Sequence, residues 1–183
     1  MKMTMVGKYS RLLGGILVLL LLLAAGYGFF YHKWWASWQP AGDHPFFDCV
    51  SHADDTVRVV MIGDSWAGLH HEHGYDSLML GFLRSRLGGP VTFEARGKGG
   101  AKSGEIYRYM FRDNAAPGDR SWQDYCTQEL LEQGPDYCIV MAGINDAGAC
   151  FGYRYYCENY RHIVEQLLHC HVRPVVVEMP EVG

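Results

Sequence analysis

The sequence has no Cys-x-x-Cys pair, no block of basic residues and no internal repeat. Each absence closes a class of function. Without cysteines at metal-ligand spacing, the six cysteines are poor zinc ligands. Without a basic block, and with a net charge of -4, no nucleic-acid partner is expected. The stretch GKGGAKSG is not a phosphate loop, because Ala101 stands before Lys102 where that pattern needs glycine. A dinucleotide fingerprint is missing as well, so no cofactor is expected. Charged residues are few, at 20%, and apolar residues make up 49%. That balance excludes disorder and supplies a core for about one domain in 183 residues.

One long hydrophobic run is present. Lys2, Lys8 and Arg11 precede an apolar stretch from Leu12 to Tyr31. It has the length of a bilayer-spanning helix. Phe29, Phe30, Tyr31, Trp34, Trp35 and Trp38 supply an aromatic belt at its far end. The expected order is a cytoplasmic stretch 1–11, a signal-anchor 12–31, a linker 32–56 and an exported domain 57–183. The domain then faces the periplasm or the exterior, with the lipid bilayer as a partner through the N-terminal helix. Cleavage near Ala24-Ala25-Gly26 would release it instead as a secreted protein, but the apolar run continues past those residues. No cysteine closely follows the run, so a lipidated start is not supported. Export permits disulfides. Cys150 and Cys157, flanking a short aromatic loop, are the expected bridge, and Cys138 is expected as a small core residue.

From Val57 onward, short β-branched runs alternate with helical stretches. Strands are expected at Val57–Ile62, Val91–Ala95, Tyr137–Ala142 and Pro174–Glu178. Helices are expected at Tyr75–Leu87, Glu105–Arg112, Trp122–Gln133 and Tyr155–His169. Alternation of this kind implies an α/β fold, with a parallel sheet between two helical layers. In such sheets, ligands bind beyond the carboxyl ends of the strands. Three motifs fall there: Gly63-Asp64-Ser65, the glycine-rich loop after the second strand, and AGINDAG at 142–148.

Acyl transfer by a serine needs an activated hydroxyl and donors for the oxyanion. Ser65 offers a hydroxyl and its own N–H. A glycine of the second loop brings a bare backbone N–H, and Asn145 brings an amide. This trio resembles the SGNH, or GDSL-type, hydrolases. VVMIGDSWAG is similar to the family's first block, GKGGAKSGEI to its second and PDYCIVMAGINDAG to its third. The resemblance implies a flavodoxin-like three-layer sandwich with Ser65 as nucleophile, and Gly100 and Asn145 as oxyanion donors. It implies an exported serine esterase acting on an ester-bearing small molecule or polysaccharide, for which O-acetyl groups of an envelope polymer suit the compartment. The family's hallmark set ends in an Asp-x-x-His block after a fifth strand, and no Asp here is followed three residues later by His. The resemblance thus covers four of about five strands. The expectation is a C-terminally incomplete domain whose tail carries the missing block. An O-acyltransferase of the same family and a non-catalytic carbohydrate-binding remnant are the alternatives.

Bland readings stand beside these. Gly-Asp-Ser also suits an ordinary strand-to-helix turn with Ser65 as helix cap. Asn145 also suits a turn. His70, His71 and His73 follow the serine closely. A metal would need a third ligand that the sequence does not offer, so no metal is expected. These histidines, with Trp66 and Asp146, are the candidate lining of a substrate pocket. The same histidines are the substitutes for a missing base. The aromatic stretch FGYRYYCENY, 151–160, suits sugar stacking or helix packing.

Overall fold

The computed structural model describes residues 5–30, 41–114 and 120–177. It divides into two units, Met1–Gln39 and Pro40–Gly183. The first holds α1 (Met5–Phe30). Its segment Leu12–Phe30 has a mean hydropathy of 2.4 and no buried surface. An isolated helix apolar on every side has its backbone satisfied internally but its side chains suited to lipid. The belt residues Tyr31, Trp34, Trp35 and Trp38 lie outside the described residues.

The second unit is built on β1 (Val57–Gly63), β2 (Val91–Gly97), β3 (Tyr137–Met141) and β4 (Arg173–Val176). All pairings are parallel, in the order β2-β1-β3-β4. Parallel neighbours need crossovers, and helices supply them. These are α2 (Ser65–His73), α3 (Asp76–Leu87), α4 (Ser103–Tyr109), α5 (Arg120–Tyr125), α6 (Gln128–Glu132), α7 (Ile144–Gly148) and α8 (Tyr153–His169). The expected single helix over Trp122–Gln133 is two short ones, broken where the Thr127 N–H donates to Tyr109 O at 2.9 Å. The expected last strand stops at Val176.

Side-chain alternation along the strands separates two cores. Val60, Ile62, Cys138 and Val140 face one way, packed with Ile106, Met110, Leu131, Ile163 and Leu167. Met61 and Ala95 face the other way, with Ala67, Met79 and Phe93. The result is the expected α/β sandwich. Cys138 is fully buried, and burial pushes its thiol pKa upward.

Over residues 41–52 the stretch expected as a linker forms an irregular strap along α8. The Ala41 N–H donates to Asn159 Oδ1 at 2.9 Å, and the His44 N–H to the Tyr107 hydroxyl at 3.0 Å. Gln166 grips the Phe47 backbone twice, accepting from its N–H at 3.3 Å and donating to its carbonyl at 3.0 Å. The strap ends in a disulfide between Cys49 and Cys170, whose Cα atoms lie 5.1 Å apart. This corrects the expected Cys150–Cys157 bridge, since both of those cysteines are free. Cys150 ends the turn after α7, exposed and at positive φ, whereas Cys157 lies within α8. The strap meanwhile holds Cys49 within bridging distance of Cys170.

Candidate active site

β1 ends in a turn that only glycine fits. Gly63 has φ +148°, and a Cβ there would lie 2.0 Å from Met141 O. The next N–H, of Asp64, donates to that same carbonyl at 3.0 Å. The ends of β1 and β3 are thereby locked together. Gly97 is equally confined, its missing Cβ 2.5 Å from Asp64 O, and the Lys98 N–H donates to Gly63 O at 3.1 Å. All three strand ends therefore meet around one peptide.

Ser65 is the first residue of α2. The cap is Asp64, not Ser65, because the Asp64 carboxylate accepts from the Trp66 N–H at 3.0 Å. The Ser65 hydroxyl is thus left without a capping duty, and its N–H, at the first helical position, has no intrahelical acceptor. Ser65 is half-buried. Among the described residues nothing hydrogen-bonds its hydroxyl, and no histidine does so in particular. Asp64 is 1% exposed, and burial raises its pKa above the ordinary carboxylate value.

Asn145 joins the three loops. Its amide donates to Ala101 O at 2.9 Å and approaches Asp64 Oδ2 at 3.5 Å. One contact is next to Gly100 and the other next to Ser65. Gly100 has φ +75° and open space where a side chain would stand. A left-handed residue of this kind turns its backbone without crowding a ligand. The three sequence-predicted residues therefore sit on loops tied to one another by a single side chain.

A second link was not expected from the sequence. Ser103, at the start of α4, donates from its hydroxyl to Asp146 Oδ1 at 2.6 Å and from its N–H to both carboxylate oxygens at 3.0 and 3.2 Å. Both residues are buried. Burial raises the Asp146 pKa, and the Ser103 bonds pull in the opposite direction. This pair fixes α7, and with it Asn145, to the glycine-rich loop. Asp146 also lines a cavity of about 510 Å³ with Phe151, Tyr153, Tyr156 and Val176.

The remaining candidates lie elsewhere. Trp66 is 57% exposed. His70 is about 140° around α2 from Ser65; its ring lies against Phe93 and Tyr75, with Nδ1 3.7 Å from Asp76 Oδ1. His73 is exposed near Tyr75. The His71 side chain lies outside the described residues. Among the described residues no group of three or more His, Cys, Asp or Glu gathers as metal ligands. The loop lysines are committed internally: Lys98 donates to the Tyr109 hydroxyl at 2.7 Å, and Lys102 pairs with Glu105 at 3.6 Å.

No protein-family profile and no curated protein matches this sequence. Solved structures are similar at low identity. An acetyl xylan esterase is 19% identical with a TM-score of 0.48, the match covering 66% of this chain and 57% of that one. A GDSL-like lipase from Bacteroides thetaiotaomicron is 17% identical with a TM-score of 0.40, over 65% of this chain and 47% of that one. A putative acylhydrolase from Bacteroides fragilis is 18% identical with a TM-score of 0.39, over 80% and 54%. The chain spans about half the length of these structures.

Proposed function

We propose that this chain belongs to an exported, membrane-anchored serine esterase of the SGNH type. The observation that carries the reading is the Asn145 side chain, which bonds Ala101 O at 2.9 Å and reaches Asp64 at 3.5 Å. A turn residue needs neither contact. An oxyanion donor needs to be held beside both the nucleophile and the glycine loop. In the proposed reaction the Ser65 hydroxyl attacks an ester carbonyl. The Ser65 and Gly100 N–H groups and the Asn145 amide stabilise the tetrahedral oxyanion; its collapse expels the substrate's alcohol, which takes up the serine proton, and water then releases the acyl group from Ser65 as the free acid. The reaction requires a histidine base, and the described residues place none on Ser65. O-acyl groups on a carbohydrate or envelope polymer are the proposed substrates, supported by the compartment that an anchor at α1 would give.

The test is a fluorophosphonate probe applied to the native protein extracted from its own membranes. Labelling that vanishes in Ser65→Ala supports the esterase. A folded native protein that takes no label sinks it and favours a binding role for the site. Adding a sugar acceptor to a labelled, active enzyme separates transfer from hydrolysis by the product formed.

A further inference from the structure

An apolar surface lies on the α2–α3 side of the domain. A helix on the outside of a water-soluble domain presents polar residues outward. α3 mixes the two: it has no buried residue, and among its exposed Ser77, Arg84, Ser85 and Arg86 stand Leu78 and Phe82, one turn apart and 70% and 55% exposed. Tyr75 precedes them at 46% exposure, and together with Met79 and His70 these residues line a shallow apolar depression of about 450 Å³. The surface continues onto α2, where Trp66 lies one turn before His70 on the same helical face and is exposed. Single exposed apolar residues are ordinary, but a row of two aromatics and a leucine around a depression marks an interaction surface.

Charge is divided along α3, with Asp76 in its first turn and two arginines at its far end. Arg84 and Arg86 stand in the last turn of α3, and Arg86 lies 5.5 Å over the Phe82 ring. Among the described residues neither arginine has a carboxylate partner. An apolar row flanked by unpaired arginines suits the boundary between acyl chains and anionic headgroups. A protein partner would also accept an apolar row; the choice of lipid rests on the proposed reading of α1 as a bilayer anchor, which would hold the domain beside a membrane. We infer that the α2–α3 face docks on an anionic lipid surface, with Leu78 and Phe82 entering the headgroup boundary and Arg84 and Arg86 meeting lipid phosphates.

Hydroxyl-radical footprinting of the full chain tests this, with one chain per nanodisc. Discs of phosphatidylcholine are compared with discs in which a third of the lipid is phosphatidylglycerol. Oxidation of Trp66, Leu78 and Phe82 should fall at least threefold in the anionic discs, while Tyr153, 84% exposed on α8, is unchanged. Arg84→Glu/Arg86→Glu should restore oxidation. Equal oxidation in both lipids overturns the inference. So does protection seen only when discs hold two chains, which would make a second copy the occupant. The readout is independent of Ser65 chemistry, so this inference and the esterase proposal fail separately.

Discussion

Asp146 is buried beside Asn145, and its ionised form is disfavoured there. A raised folded-state pKa means that the unfolded chain loses its proton first. Stability is then highest below the ordinary carboxylate pKa of about 3.9 and is lost as pH rises through the folded value. Asp146→Asn keeps an acceptor for Ser103 and removes the ionisation. The urea midpoint of the variant should therefore fall less between pH 4 and pH 7 than that of the parent. An equal fall in both proteins would show that Asp146 titrates normally. Neither this pair nor the Asn145 contacts had a local sequence signal. Ser103 and Asp146 are 43 positions apart, and no periodicity relates a helix start on one loop to a carboxylate on another. Ser65 and Asn145 stood out for the opposite reason: each follows a short apolar run cut by glycine.

At the level of elements, the turn after β1 depends on close backbone approach. Gly63→Ala would drive a methyl group into Met141 O, with φ already in a region L-residues avoid. We expect a loss of about 1–3 kcal/mol, read as a lower urea midpoint, with loss of any Ser65 labelling. Unchanged stability would mean the turn can open without the β1–β3 lock. The strap makes a second prediction. Its disulfide closes most of the domain, joining cysteines 121 positions apart. Replacing both Cys49 and Cys170 by Ser should lower unfolding free energy by about 2–4 kcal/mol, measured by denaturant titration under oxidising conditions. The first three strands were legible because their apolar, β-branched runs end at or beside glycines, Gly63, Gly97 and Gly143. The strap was not, because its composition is that of a loop and its order comes from single long-range bonds to Asn159, Tyr107 and Gln166.

At the scale of the whole molecule, the sheet has two outer strands, β2 and β4. The β3 side of β4 is paired, while no described residue pairs with its other edge, and Val176 is 60% exposed. An unpaired apolar strand edge invites association with another chain. Val176→Lys should therefore lower light scattering of the concentrated chain. Scattering that does not change would place the sticky surface elsewhere. The layered α/β arrangement was readable from the alternation of strands and helices. The two faces of α3 were not, because helical spacing alone does not say which apolar row meets the sheet. The strap has a mechanical meaning too. Tension applied ahead of Ala41 would shear the strap along α8, loading several hydrogen bonds in parallel before it reached Cys49. The covalent bond there would carry the load into the end of α8, limiting extension to about 30 Å of freed chain. β1, and the serine at its tip, come after that covalent stop along the chain.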